Sequence, residues 1–507
     1  MFSIDKTIVL SSSGATTPVV TPLTGGPFAA LPVSTVDDVA EAYARAAAAQ
    51  HEWCAVPPKE RGQVLLRFHD LLLSRQAEAL DTIQYATGKT RWHAFEELSG
   101  TAVGARYYGR RAERILACAR RSGFLPGVIR VDEVRRPKGV IGIISPWNYP
   151  LELGLSDGLA AVVAGNGVVH KPDVQGALTA LWGVGLLREA GLPEDLWQVV
   201  VGDGPTIGGA VVDGADYVCF TGSTRTGREV AKRAAERLVG VSLELGGKNA
   251  LLVLDDAKPD KAAEIAVRAC FTSAGQLCVS TERLYVHDSV HDEFMESFLR
   301  RVRHMRLGVG LDWSAEMGSL ASQRQLDVVS EHVRDAVEKG ARVLAGGRRR
   351  PDVGPYCYEP TVLAGVTEDM TCFGEETFGP VVSVYRCSTV DEAVHRANDT
   401  RYGLNASVLS GNVRSGRVVA ARLNSGSVNV NEGYASSYGS VDAPMGGIGD
   451  SGIGRRHGVE GLLRFTEAQT IASQRGVGLG RPPLTSFRTL ARGYTLLLKL
   501  FRALGKS

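Results

Sequence analysis

Apolar positions between residues 35 and 120 recur every three to four residues, as in STVDDVAEAYARAAAAQ and RGQVLLRFHDLLLSRQAEAL. That spacing predicts a helical layer, with Ser34 or Thr35 placed to cap its first helix. From residue 128 the pattern changes. VIRVDEV alternates, which predicts the exposed strand of a hairpin, whereas Val140 to Ile144 is continuously apolar, which predicts a strand buried on both faces. From 140 to 245 such strands (VIGIIS, VVHKP, LWQVVVG, YVCFTG, VSLEL) alternate with helical stretches. This rhythm is that of a doubly wound parallel sheet, whose ligands bind at the carboxyl ends of the strands. A second α/β run covers 246–450, with ALLVLD, a helix from Lys258, LYVH, a helix around 290–306, and VVSVYR. Residues 451–475 return to a strand-like piece, FTEAQTIAS, and a tail follows Pro482-Pro483. The first twenty residues lack the basic start and apolar core of a secretory signal and read as a polar, loosely held arm.

Composition narrows the class. A chain of 507 residues holds two or three domains, at roughly 100–200 residues each. Hydrophobic residues make up 44% and charged residues 22%, which excludes disorder as the main state. The eight cysteines form no Cys-x-x-Cys pair and no zinc spacing, so they read as reduced thiols of a cytosolic protein. His287 and His291 are four apart without a third ligand, and no metal site is expected. The net charge of +2 gives no global case for nucleic acid. It is uneven, however. From Ala468 to Ser507 there are seven basic residues and no acidic one, so the rest of the chain carries −5. Arg488, Arg492, Lys499, Arg502 and Lys506 fall on one helical face, and Phe487, Leu490, Tyr494, Leu497, Leu498, Phe501 and Leu504 largely on the other. Residues 481–507 are thus expected to form a basic amphipathic tail. Peripheral contact of residues 484–505 with an anionic membrane and packing on the protein's own oligomer are equal readings of it.

Candidate chemistry sits at the strand ends. The one literal G-x-G-x-x-G, Gly447 to Gly452, follows no strand and is rejected as a dinucleotide fingerprint. Phe220-Thr221-Gly222-Ser223-Thr224-Arg225-Thr226-Gly227 lies between a strand and a helix. It suits a pyrophosphate at the helix N-terminus and equally a plain capped turn. Lys171 ends VVHKP, facing either a ligand crevice or solvent. Cys278 in GQLC is a nucleophile if its pKa is lowered or a base is near, and otherwise a small buried hydrophobe. Glu244 lies between two leucines, a setting that raises a carboxylate toward the range of a general base, unless it faces outward. Asn148 in PWNYP offers an amide to an oxyanion, or serves a turn between prolines.

In order, PWNYP (146–150), HKP (170–172), FTGSTRTG (220–227), LELGGKN (243–249), GQLC (275–278), EETFGP (375–380) and PMGGIGDSGIGR (444–455) resemble the NAD(P)-dependent aldehyde dehydrogenase superfamily. Within it they look most like the bacterial succinate-semialdehyde dehydrogenase branch. The resemblance runs from about residue 20 to about 475. It implies a Rossmann-type cofactor domain (20–119 and 139–245), an α/β catalytic domain (246–450) and a small β oligomerisation element (120–138 and 451–480) that makes a homo-oligomer. It implies Cys278 as nucleophile, forming a thiohemiacetal and then a thioester, Glu244 as the base for hydrolysis, and Asn148 as oxyanion donor. The cofactor would meet Trp147, Lys171, Thr221, Gly222, Ser223, Gly227, Glu376 and Phe378.

Two departures bear on specificity. Many NAD-preferring members carry glutamate three residues after the motif lysine; here Val174 stands there, beside Asp173, which leans the expectation to NADP with NAD possible. Members acting on succinate semialdehyde often carry arginine six residues before the cysteine; here it is Thr272. Arg455 and Arg456 are then either substitute carboxylate readers or structural partners. The expected activity is oxidation of an aldehyde, succinate semialdehyde or a bulkier aliphatic or aromatic one. An acylating or esterolytic thiol enzyme and a non-enzymatic binding protein are the competing readings. The expected location is the cytoplasm, with or without peripheral membrane contact.

Overall fold

A computed structural model describes residues 8–124, 128–474, 480 and 485–505. Expectations that rest on Arg475, Arg481, Pro482, Pro483 and Lys506 lie outside the described residues. The helical layer consists of Val36–Trp53, Pro58–Ser74, Gln76–Thr87 and Arg91–Ile115. Thr35 caps the first by accepting from the Asp38 amide at 3.1 Å, while the Asp38 carboxylate accepts from the Thr35 amide at 2.7 Å. This reciprocal pair satisfies two donors that a bare helix start leaves open. Ser34 instead donates to the Leu10 carbonyl at 2.6 Å.

The expectation of a loose N-terminal arm is corrected over its described part. Ile8 and Val9 are buried, and the Leu10 amide donates to the Val199 carbonyl at 3.1 Å. The apolar triplet Ile8-Val9-Leu10 runs parallel to the sheet edge at Val199, which removes its side chains from water. Thr16–Val20 then pairs antiparallel with Pro27–Pro32.

The first large sheet has the spatial order Gly452–Ile453, Gly240–Glu244, Tyr217–Thr221, Val140–Ser145, Gly167–Pro172, Trp197–Val199. All neighbours are parallel except the Gly452 pair. From Val140–Ser145 the chain winds outward first to one side and later to the other. A crevice therefore opens at the carboxyl ends of Val140–Ser145 and Tyr217–Thr221, where the winding direction reverses. Helices Glu152–Ala164 and Ala177–Glu189 are apolar nearly all round and buried, as helices covering a parallel sheet must be.

The second sheet has seven strands, in the order Arg342–Ala345, Thr361–Ala364, Val381–Cys387, Thr281–His287, Asn249–Val253, Asn405–Leu409, Ser427–Val430. Only the first pair is antiparallel. A third sheet pairs Ile129–Pro137 with both Ala119–Arg121 and Thr466–Gln474. The fold is the mixed α/β arrangement that the strand–helix rhythm predicts. Phe487–Ala503 forms the helix read from the tail. Among the described residues no helix is long and apolar enough to cross a membrane.

Candidate active site

Five segments far apart in the chain meet at the crevice. The strand Val140–Ser145 runs into Trp147 and Asn148. Tyr217–Thr221 runs into Gly222 and Ser223, which caps helix Thr224–Glu236. Gly240–Glu244 delivers Glu244. The turn after helix Pro259–Phe271 delivers Cys278, and the loop before Val381–Cys387 delivers Glu376 and Phe378. One cavity of about 330 Å3 is lined by Trp147, Asn148, Thr221, Gly222, Ser223, Glu244, Cys278, Glu376 and Phe378. Lys171, Val174 and Gly227 lie outside this wall. Lys171 is at the end of the adjacent strand, Val174 begins the turn after it, and Gly227 is packed under Leu245.

Burial sets the electrostatics. Glu244 is 6% exposed, and burial pushes its carboxyl up to about 7, opposed chiefly by the Arg456 charge. Its Oε1 has no hydrogen-bond partner. The Cys278 thiol is pushed up to about 12, by burial first and then by the Glu244 and Glu376 charges. The sequence condition for a reactive cysteine was a lowered pKa or a nearby base; the fold supplies the base and not the lowered pKa. Glu376 is pushed up to about 8 by burial and by Glu282, and its Oε1 accepts the Gly247 amide at 2.8 Å. Asn148 Nδ2 donates to the Gln276 carbonyl at 3.0 Å. A side-chain amide has two hydrogens, so one is left for another acceptor.

Two buried ion pairs hold these groups, and neither was picked out in the sequence. Lys89 donates to Glu97 at 2.6 Å and to the Asn148 carbonyl at 2.8 Å, with its ammonium 3.5 Å from the centre of the Tyr149 ring. Glu97 Oε1 accepts the Leu151 amide at 2.7 Å. Glu282 accepts the Thr377 and Phe378 amides, each at 3.0 Å, and pairs with Lys248, which also donates to the Glu375 carbonyl at 2.8 Å. Phe378 is thereby held at a φ of 52° with its ring edge-on to Trp147. The available signal was Glu97 itself, a carboxylate in the buried stripe formed by Ala94, Leu98, Thr101 and Ala105.

The two arginines left open between carboxylate reading and structural pairing both make contacts within the fold. Arg456 Nη2 donates to Asp157 and to Thr221 Oγ1, both at 2.6 Å, and Arg455 donates to the Gly447 and Gly454 carbonyls. Both thus make structural contacts in this fold, while Arg456 Nε has no hydrogen-bond partner. Thr272 donates to the Arg268 carbonyl and is joined by the Tyr434 hydroxyl. Cys278 also packs against a cluster of Tyr149, Leu153, Leu277, Tyr434, Tyr438 and Met445, of which Leu153 lines the cavity as well. His287 and His291 bond to Ser289 and Asp292, and among the described residues no cluster of metal-ligating side chains occurs.

The crevice residues fit a dinucleotide. Lys171 is 5% exposed, has no hydrogen-bond partner among the described residues, and is held below its ordinary pKa by burial. The Asp173 and Asp203 charges act against that burial, and the ammonium is open to a sugar hydroxyl or phosphate. The N-terminus of helix Thr224–Glu236 offers free amides to a pyrophosphate, and Glu376 offers a carboxylate to a second sugar. Asp173 uses one oxygen to accept the Gln175 amide at 3.0 Å.

Residues 8–471 match the aldehyde dehydrogenase family. A protein of Mycolicibacterium smegmatis named "Putative succinate-semialdehyde dehydrogenase [NADP(+)]" is 51% identical over 93% of this chain and 91% of its own. Among solved structures, an NADP-dependent enzyme of E. coli is 31% identical with a TM-score of 0.87, covering 92% of this chain and 96% of that one. A betaine aldehyde dehydrogenase of Staphylococcus aureus in complex with NAD+ is 29% identical with a TM-score of 0.88, covering 94% of this chain and 95% of that one.

Proposed function

This chain belongs to the aldehyde dehydrogenase family, and on that premise we propose that it oxidises an aldehyde to a carboxylic acid with NADP, and with NAD as second choice. The observation that carries the reading is the convergence of Cys278, Glu244 and Asn148 on one cavity from three separate segments. The Cys278 sulfur attacks the aldehyde carbon, and its proton passes to Glu244, the carboxylate that bears most strongly on its pKa. The thiohemiacetal oxyanion accepts from the free Asn148 amide hydrogen and the Cys278 backbone amide. When bound, the nicotinamide supplies the acceptor for the hydride lost as the thiohemiacetal becomes a thioester. Glu244, once that proton has passed to solvent, takes a proton from water; the hydroxide adds to the thioester carbon, the C–S bond breaks to free the acid, and the proton returns to the Cys278 sulfur.

For the cofactor, Lys171 takes the adenosine ribose, and Gly222, Ser223 and the helix behind them take the pyrophosphate, with Thr221 and Gly227 shaping the turn. Trp147, Glu376 and Phe378 take the nicotinamide end. Val174 places no carboxylate where a 2′-phosphate would lie. Residues 20–119 and 139–245 form the cofactor domain, 246–450 the catalytic domain, and 120–138 with 451–480 the element that joins copies into a homo-oligomer.

The names of the relatives favour succinate semialdehyde as substrate. A second reading, a bulkier uncharged aldehyde, is favoured by the apolar and tyrosine cluster against which Cys278 packs and by the engagement of Arg455 and Arg456 elsewhere. Absorbance at the reduced-nicotinamide band, with NAD and NADP crossed against succinate semialdehyde and long-chain and aromatic aldehydes, tests all of this. Wild type should reduce NADP, and Cys278→Ala should not. Ester cleavage without reduction of either cofactor would instead make this an esterolytic enzyme. Val174→Glu should move the kcat/KM ratio toward NAD by at least about tenfold, because like charges brought together cost several kcal/mol. An unchanged ratio would remove the cofactor argument.

A further inference from the structure

The C-terminal helix Phe487–Ala503 takes no part in the catalytic reading, and none of its residues is buried. Ser486 caps it, accepting from the Thr489 amide at 3.1 Å. Phe487, Leu496, Leu498, Leu500 and Leu504 are each 51% to 71% exposed. Leu490, Tyr494, Leu497 and Phe501 are half-covered, and the Tyr494 ring meets that of Phe124, itself 58% exposed, at 6.4 Å. At 3.6 residues per turn, Arg488, Arg492, Lys499 and Arg502 fall within an arc of about 80°. Leu490, Leu497 and Phe501 lie at the centre of the opposite arc. None of the four cations pairs with a carboxylate among the described residues, and no acidic residue follows Glu467 in the chain.

We propose that this helix lies flat on an anionic phospholipid bilayer, its leucine and phenylalanine side at the acyl boundary and its arginines and lysine on the lipid phosphates. The occupant must supply two things at once, a broad apolar phase and negative charge. A second copy of the same helix supplies the first but brings four more cations and no carboxylate. Nucleic acid supplies the second but no apolar phase. Seventeen residues carrying four cations do not span a bilayer, whereas an amphipathic helix rich in Arg and Lys on its polar side is the form that lies in the interface. Phe124 adds to the same apolar surface, so the small three-stranded sheet would face the lipid.

The test is sedimentation of the purified full-length protein with vesicles of phosphatidylcholine alone and of phosphatidylcholine mixed with phosphatidylglycerol. The expected result is a bound fraction at least about tenfold higher on the mixed vesicles, as several cations near an anionic surface add attraction, and a decline as salt screens it. Leu497→Asp with Phe501→Asp should abolish binding, and Lys499→Glu with Arg502→Glu should reduce it to the level on phosphatidylcholine. Both variants should keep wild-type aldehyde oxidation in solution, which shows that the body is folded. Equal binding to both vesicle types, or pelleting unchanged by the double aspartate variant, overturns the proposal. So does an absence of pelleting together with a fall in oligomer mass in that variant, which would assign the helix to a second copy.

Discussion

At the residue scale the site is governed by how burial divides protons among Cys278, Glu244 and Glu376. A carboxyl at about 7 and a thiol at about 12 leave the pair with a neutral thiol and a half-ionised acid near neutral pH. As a base Glu244 acts in its ionised form, which is lost as pH falls through about 7. Turnover limited by thioester hydrolysis should therefore rise with pH through that region and then level. Glu244→Gln should lose the rise and lower turnover by about 10²–10⁴-fold. A pH–rate profile of both proteins checks this, and a flat wild-type profile would remove Glu244 as the base. Glu244 was legible because a carboxylate between two leucines is a local anomaly. Lys89 and Glu282 were not, because their work depends on backbone groups of distant segments.

At the element scale the decisive feature is a close approach between the Cys278 turn and the loop carrying Glu376. Ser273, Ala274 and Gly275 all have positive φ, at 52°, 55° and 71°. A Cβ on Gly275 would stand 2.0 Å from the Gly379 carbonyl oxygen. Gly275→Ala should therefore cost about 1–3 kcal/mol from backbone conformation alone, with the clash added, and should displace Cys278 from Phe378. The expected outcome is a lower midpoint in denaturant unfolding together with reduced kcat; wild-type values in both would show that the turn accommodates a side chain. The rejected glycine motif has a similar structural use. Gly452, at a φ of 142°, pairs antiparallel with Glu244, and a Cβ there would reach 2.0 Å from the Leu243 carbonyl. Its glycines let the chain close over the base instead of cradling a phosphate.

At the scale of the whole molecule the small sheet has an exposed edge. Thr466–Gln474 is exposed from Glu467 onward, with Ile471 47% exposed, and it forms an outer edge. A long open edge invites strand pairing, and a second copy of the chain would cover it. Light scattering on the purified protein should give a multiple of the 54.1 kDa chain mass. Thr470→Pro, which removes a ladder donor, should shift it toward the single chain while leaving the cofactor crevice intact. A wild-type protein that runs as a single chain would end this reading.

The chain's own pattern determined the helical layer, the strand–helix alternation and the chemical identity of the groups at the strand ends, because periodicity and motif chemistry act over short windows. Tertiary structure alone decided what those groups are free to do. Arg455 and Arg456 are adjacent and look alike in the sequence, yet one is held by carbonyls beside it and the other by Asp157, 299 residues away. The N-terminal arm looked polar until its apolar triplet found the edge at Val199. Burial, pKa and partner choice are sums over neighbours from every part of the fold, and no local stretch of sequence contains those neighbours.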